Sequence, residues 1–289
     1  MLLKELIQKG ISTISTLYPE IEAREMVLAY LQDTIGIKRH THIIEPEYEV
    51  VEEAAAEALL AFERLAAGEP LQYVTGAAYF YGRCFNVTPA TLIPRPETEL
   101  LCRMAVEAAV KPAPRVLDLC TGSGCIAWTL ALELPQSEVV AVDLSEDALE
   151  VASGQDFAEE MQLTGAHAPT FIKADVLASD LHSVEGKFDI ILSNPPYVMD
   201  SEKALMRKNV LDHEPHMALF VPDSDPLVFY RAVADRAAEL LGPDGMGIVE
   251  INEALGEETA DVFRARGFAK TEVVQDLYEK DRFVRFSWK

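Results

Sequence analysis

A chain of 289 residues, 49% of them hydrophobic, has room for one large domain and a small one with a real core. Its formal charge of -23, from 25 Lys plus Arg against 48 Asp plus Glu, excludes a protein that grips nucleic acid by phosphate neutralisation alone. No apolar run reaches the roughly 18 residues needed to cross a membrane. Met1-Leu2-Leu3-Lys4-Glu5-Leu6 lacks a secretory h-region, so a cytoplasmic location is expected. The cysteines Cys84, Cys102, Cys120 and Cys125 form no Cys-x-x-Cys pair, which predicts free, buried thiols. His213 and His216 flank Glu214-Pro215, but no Cys or carboxylate spacing completes a ligand set there, so no metal is expected.

The first 70 or so residues read as helices. Ile21, Arg24-Glu25, Val27-Leu28 and Leu31 recur at helical spacing over 21–33, and Leu59, Leu60, Phe62 and Leu65 do so over 49–67. Gly68-Glu69-Pro70 stops the second helix. From 71 to 95 aromatic and β-branched residues alternate with glycine, as in Tyr79-Phe80-Tyr81-Gly82, and a hairpin linker is expected. Pro94 and Pro96 then stiffen the entry to a helix with Glu97 and Glu99 in its first turn. From residue 112 short apolar runs alternate with helical stretches. Arg115–Leu119, Glu138–Val142, Thr170–Lys173, Phe188–Leu192 and Met246–Ile251 read as buried parallel strands. Thr271–Val274 and Phe283–Trp288 read as a terminal hairpin. The pattern predicts an α/β fold: a doubly wound parallel sheet with an antiparallel strand near one edge, and a site beyond the carboxyl ends of its strands.

Three motifs carry the chemistry. Asp118-Leu119-Cys120-Thr121-Gly122-Ser123-Gly124 follows a strand and opens a helix, where small residues let a ligand approach the backbone and helix N–H groups face its anionic end. The P-loop lysine is missing and the spacing is not Gly-x-Gly-x-x-Gly, which disfavours phosphoryl transfer and a nicotinamide cofactor. Asp143 ends the next strand, where a carboxylate can accept both hydroxyls of a ribose, or cap a helix with Ser145. Asp175 follows the third strand and can accept from an adenine amino group or stand as a solvated acid. Ser193-Asn194-Pro195-Pro196-Tyr197 follows the fourth. Two prolines remove two N–H donors and fix two φ angles, so the Asn194 side-chain oxygen and the Pro195 carbonyl can both accept from one NH2 group. An amide nitrogen is a poor nucleophile, and two acceptors orient it as a methyl group arrives. Tyr197 can stack on the planar group. The expected reaction is in-line transfer of a sulfonium methyl from S-adenosyl-L-methionine to a planar nitrogen.

Together with Gly68–Gly76 and Leu92–Glu99, these motifs resemble the HemK/PrmC protein-(glutamine-N5) methyltransferases over nearly the whole chain, including Glu214-Pro215 and Asp281-Arg282. The resemblance implies a class I S-adenosylmethionine-dependent methyltransferase, Rossmann-like with a seven-stranded sheet. It implies an N-terminal helical substrate-recognition domain (1–75), a β-hairpin linker (76–95) and a catalytic domain (96–289). It implies methylation of the glutamine of the Gly-Gly-Gln motif of class-1 peptide chain release factors, with S-adenosyl-L-homocysteine as product. Matched positions put cofactor contacts at Asp118, Cys120, Thr121, Gly122, Ser123, Gly124, Asp143, Asp175, Val176 and Asn194. Asn194, Pro195, Pro196 and Tyr197 hold substrate, with Asn194, Pro195 and Tyr197 catalytic. Cys120 stands where many members carry glycine, and Val176 where some carry an aromatic residue. A sister enzyme acting on a large-subunit ribosomal protein shares several motifs, but Pro94–Glu99 favours the release-factor branch. A nucleic-acid amino-methyltransferase fits the tetrapeptide but not the acidic composition, and a non-catalytic module fits neither complete motif set. A monomer without direct nucleic-acid or membrane binding is expected.

Overall fold

The structure is a computed structural model that describes residues 1–178, 181 and 183–289. It divides into two compact units: one of Met1–Ala77 with Arg207–His213, the other of Ala78–Met206 with Glu214–Lys289.

The first unit is helical. Its core is built by α1 (Leu3–Ile14), α2 (Glu20–Ile35) and α4 (Glu52–Ala66), while α3 (Thr41–Ile44) is a single exposed turn. On α1, Leu3, Leu6, Ile7, Gly10, Ile11 and Ile14 recur at helical spacing and are all buried. Gly10 is needed for space: a Cβ there would stand 2.7 Å from the Phe62 ring and 2.8 Å from Val27. Leu71–Thr75, expected to belong to the hairpin linker, forms a short helix instead, α5. Pro70 precedes it with φ of -57° and Gly76 ends it in the left-handed region, so both ends are punctuated, and Leu71 and Val74 pack on the helical core. The lone segment Lys208–His213, α10, groups with this unit.

The hairpin follows, with β1 (Ala77–Phe80) and β2 (Arg83–Asn86). Tyr81 and Gly82 both take positive φ (50° and 75°), as a two-residue hairpin turn requires. Cys84 lies exposed on β2, against the expectation of burial, because strand alternation points its neighbour Phe85 inward. Cys102 and Cys125 are buried and Cys120 is half-buried.

The sheet of the second unit has seven strands. In chain order these are β3 (Arg115–Leu119), β4 (Glu138–Asp143), β5 (Thr170–Lys173), β6 (Phe188–Ser193), β9 (Leu241–Glu250), β10 (Lys270–Gln275) and β11 (Asp281–Ser287). They lie in the order β10-β11-β9-β6-β3-β4-β5, with β11 antiparallel to both neighbours and the β3, β4, β5, β6 and β9 pairings parallel. Two-residue strands β7 (Val198–Met199) and β8 (Phe220–Val221) pair separately. Alternate residues serve opposite faces. Val116, Val139, Ala141, Ile190, Leu192 and Ile248 join one core with α6 (Thr98–Ala108) and α7 (Cys125–Glu133). Leu117, Leu119, Val140, Val142, Ile191 and Val249 join the other with α11 (Val228–Leu240) and α12 (Gly256–Ala265). The helices α8 (Glu146–Ser153) and α9 (Ala158–Thr164) lead toward β5. β9 begins earlier than Met246. Gly242-Pro243 and Gly245 fall in a bulge: Phe188 pairs with Leu241 and Ile190 with Met246.

Gly247 on β9 faces Phe286 of β11 so closely that a Cβ would come within 2.1 Å of the ring. Gly247→Ala is therefore expected to destabilise the sheet unit by about 1–3 kcal/mol through overpacking. Urea unfolding followed by the fluorescence of Trp128 and Trp288 should show a lower midpoint, and an unchanged midpoint rejects the packing account.

Candidate functional site

The strand register brings the three motifs to one level. Leu119 of β3 pairs with Val142 of β4 on one side and with Ser193 of β6 on the other. Cys120, Asp143 and Asn194 come next on their strands, and the Ser193 hydroxyl donates to the Leu119 carbonyl at 2.8 Å, tying two strand ends together. β3 and β6 are also where the order reverses direction, the place where open α/β sheets leave a crevice.

A cleft with about 1070 Å³ of empty space, its open mouth included, lies there. Cys120, Thr121, Gly122, Ser123, Asp143, Asp175, Val176, Asn194 and Pro196 line it. Four of the expected site residues do not reach its wall. Asp118 is fully buried behind it, where Oδ2 accepts from the Thr121 hydroxyl at 2.6 Å. Gly124 caps α7 with φ of 79°, and a Cβ would meet Ala152 at 3.0 Å, so this glycine serves helix packing. Pro195 is buried away from the cleft, and Tyr197 packs on the core beneath the sheet end. Gly122 has φ of 54°, and a Cβ there would meet nothing within 4 Å, so its backbone conformation, not crowding, calls for glycine. Cys120 holds φ of 64°, a left-handed conformation that costs a non-glycine residue roughly 1–2 kcal/mol. Desolvation, with Asp143 and Asp118 nearby, pushes its thiol well up, so the sulfur stays protonated.

The Asp143 carboxylate accepts from Gly122 N at 2.8 Å and from Ser145 N at 3.0 Å, while Ser145 itself caps α8 by accepting from Ala148 N. Asp143 thus braces the glycine turn, and the helix cap falls to Ser145. Asp175 accepts from Leu177 N at 2.8 Å. Burial raises the Asp143 pKa and drives that of Asp118 to about 7, the latter only partly countered by the Thr121 hydrogen bond. Asp118 Oδ1 has no hydrogen-bond partner among the described residues.

Beyond Asn194 a buried network begins. Asn194 Nδ2 donates to Thr98 Oγ1 at 3.2 Å, and Thr98 donates to Glu250 Oε2 at 2.7 Å. The Tyr197 hydroxyl donates to Glu250 Oε1 at 3.0 Å. Asn252 Nδ2 donates to the Tyr197 carbonyl at 3.2 Å and to Glu202 at 2.8 Å. Glu250 is 1% exposed, and burial raises its pKa against the pull of Thr98, Tyr197 and Arg282. A second buried carboxylate, Glu214, joins two walls of the cleft: it accepts from Ile93 N at 3.2 Å and pairs with Arg95 at 2.7 Å.

Comparison with known proteins reads this geometry. Residues 5–76 match the PrmC N-terminal domain and residues 97–216 the methyltransferase small domain. A release factor glutamine methyltransferase from Flavobacterium psychrophilum is 34% identical over 100% of both chains. The chain belongs to the release factor glutamine methyltransferase family. A relative of the same name from Bacteroides thetaiotaomicron is 44% identical over 76% of this chain and 77% of its own. The catalytic domain of hMettl16, solved in complex with MAT2A 3'UTR hairpin 6, shares the fold at a TM-score of 0.56 over 82% of each chain, with 14% identity. The fold is that of S-adenosylmethionine-dependent methyltransferases, and S-adenosyl-L-methionine is the cofactor.

The residues of this family member suit such a cofactor: a glycine turn whose Gly122 faces open space, and the acids Asp143 and Asp175 lining the cleft at and just beyond the ends of β4 and β5. Sequence reasoning missed the network behind them. Thr98 lies inside Leu92–Glu99 with no motif role of its own, and Glu250 ends the apolar run Met246–Val249, which is a usable signal for a functional acid. No helix among the described residues is long and apolar enough to cross a membrane, and no group of three or more His, Cys, Asp or Glu side chains could hold a metal among them.

Asp118 also predicts a pH effect. Its folded pKa is raised, so folding favours the protonated acid, and its contribution to stability is lost as pH climbs from about 4 through about 7. Asp118→Asn should remove that component and make the cofactor-free enzyme more stable than wild type at pH 8, by a few kcal/mol at most. Melting curves from pH 5 to 8 check this, and parallel curves for the two proteins would mean Asp118 is already ionised at pH 5.

Proposed function

We propose that this enzyme methylates the side-chain amide nitrogen, N5, of the glutamine in the Gly-Gly-Gln motif of class-1 peptide chain release factors, using S-adenosyl-L-methionine. The observation that carries the reading is Asn194-Pro195-Pro196-Tyr197 at the end of β6, level with the glycine turn, in a chain related end to end to enzymes named for that reaction. The helical residues 1–75 are proposed to recognise the release factor, 76–95 to act as linker and 96–289 to carry catalysis. The enzyme is proposed to act as a cytoplasmic monomer without binding nucleic acid directly.

In this reading Gly122, Ser123, Thr121 and Cys120 supply backbone at the cofactor, Asp143 the ribose acceptor, and Asp175 with Val176 the adenine wall. Asp118 lies behind them as a buried carboxyl group that accepts from the Thr121 hydroxyl. The cofactor supplies a sulfonium methyl group, an electrophile that leaves a neutral thioether. Asn194 Oδ1, on the cleft wall, accepts one N–H group of the glutamine amide, turning its nitrogen to the methyl group and favouring the positive charge that grows on it, and the Pro195 carbonyl is proposed as the second acceptor although Pro195 itself lies off that wall. On methylation the amide nitrogen would give up one proton to solvent. Prolines 195 and 196 offer no competing donor. Tyr197, its hydroxyl held by Glu250, stiffens the far end of the tetrapeptide.

Incubating the purified chain with cofactor and an unmodified release factor should add one methyl mass to the Gly-Gly-Gln peptide. The same mass appearing instead on a large-subunit ribosomal protein, offered in competition, overturns the substrate assignment. Asn194→Ala should lower turnover by about 100-fold or more while calorimetry still detects cofactor binding. Unchanged turnover removes Asn194 from the mechanism.

A further inference from the structure

We infer that Glu250, acting through Thr98, fixes which way round the Asn194 amide stands, so that the site offers its incoming nitrogen acceptors only. The inference rests on the reading of Asn194 as the holder of a substrate NH2 group. It concerns residues that contact each other across 96 and 152 positions of sequence and that none of the motifs includes as a unit.

The argument is a count of protons. An ionised carboxylate can only accept, and a hydroxyl has one proton to give. Glu250 takes the Thr98 proton at Oε2, at 2.7 Å, and the Tyr197 proton at Oε1, at 3.0 Å. Thr98 Oγ1 then has lone pairs left but nothing to donate. Its other neighbour, 3.2 Å away, must therefore bring a proton, and that neighbour is the Asn194 amide. Nδ2 turns to Thr98 and Oδ1 to the cleft that Asn194 lines. The reversed amide would set two oxygens face to face with no proton between them, in a buried place where an unmet acceptor keeps its full desolvation penalty. It would also aim an NH2 group at the substrate's NH2 group, two donors without an acceptor.

The carboxylate is well placed for this task. Glu250 closes β9, the strand beside β6, and Thr98 is buried at the start of α6, so both ends of the relay stand on regular elements. The same carboxylate holds Tyr197, so one buried charge sets both the first and the last residue of the tetrapeptide. Thr98 and Glu250 are positioning residues: neither is required to touch the nitrogen.

The test compares one substitution that removes the hydroxyl with one that keeps it. Thr98→Val keeps the shape and removes the relay, while Thr98→Ser keeps the relay and removes a methyl group. We expect Thr98→Val to lower kcat about 10- to 100-fold with little change in cofactor affinity or melting temperature, and Thr98→Ser to recover most of the loss. A second readout needs no substrate. With 15N-asparagine, only Asn86, Asn194, Asn209 and Asn252 give side-chain amide signals. The Asn194 pair should contain one proton protected from exchange in wild type and in Thr98→Ser, and none in Thr98→Val. A folded Thr98→Val enzyme with wild-type turnover, or a Thr98→Ser enzyme as impaired as Thr98→Val, overturns the relay. So does an Asn194 amide whose exchange ignores all three side chains. A wild-type chain that leaves the release factor unmethylated but shows the protected proton defeats the substrate reading and leaves the relay standing.

Discussion

Parallel strands cannot slide independently: each residue's hydrogen bonds commit its neighbours. Leu119 beside Val142 and Ser193 is such a commitment, and most of the site depends on it. Because the three strands end on one row, the glycine turn, Asp143 and Asn194 emerge together although up to 76 residues separate them in the chain. A slip of one residue at β6 would turn Ile191 out of one core and Asn194 away from the cleft in the same step. The apolar alternation that buries Val116, Ile190 and Leu192 on one face, and Leu117, Ile191 and Val249 on the other, is therefore also what aligns the chemistry.

Much of this was legible in the sequence, and for a definite reason. Parallel strands buried on both faces leave continuous apolar runs, and Arg115–Leu119 stands where its residues foretell, while Thr170–Lys173 stands at the expected residues but as an edge strand with exposed ends instead of a buried one. Motif residues are local, so Asp118–Gly124 and Asn194–Tyr197 could be recognised without any knowledge of contacts. What could not be read was long-range pairing of polar side chains. Thr98 and Glu250 lie 152 residues apart, and Ile93 and Glu214 lie 121 apart, with no periodicity linking either pair. The short helix Leu71–Thr75 was hidden differently. Five residues are too few to show a helical period, and only Pro70 and Gly76 mark its ends. At β9 the apolar run begins only at Met246, whereas the strand begins at Leu241, with glycine and proline placed in a bulge beside β6.

Motif membership and cavity membership also part company. Gly124 and Asp118 belong to the sequence signature, yet neither meets the open space. One lets α7 approach Ala152, and the other is a carboxyl group held behind Thr121. Their presence in the signature reflects the support that the ligand-facing residues need, since a turn that holds the non-glycine Cys120 at φ of 64° persists only when its surroundings over-determine it. The bonds from Gly122 N and Ser145 N to Asp143 are part of that determination.

Buried acids are expensive, and apolar residues of the same volume would stabilise the fold better. The second unit nevertheless retains three beside one cleft: Asp118, Glu214 and Glu250. Each does something that an apolar residue cannot. Glu214 binds a backbone N–H and a guanidinium from the segment that forms the opposite wall. Asp118 accepts from the Thr121 hydroxyl and so anchors the start of the glycine turn from behind. Glu250 accepts two hydroxyl protons and so dictates the direction of every hydrogen bond downstream of them. Direction is the property that matters at the acceptor nitrogen. A neutral amide in an apolar pocket could stand either way round, and half of its arrangements would repel the group it has to hold. An acceptor-only anchor at the end of the relay removes that ambiguity, at a cost in stability that the two large cores on either face of the sheet can absorb.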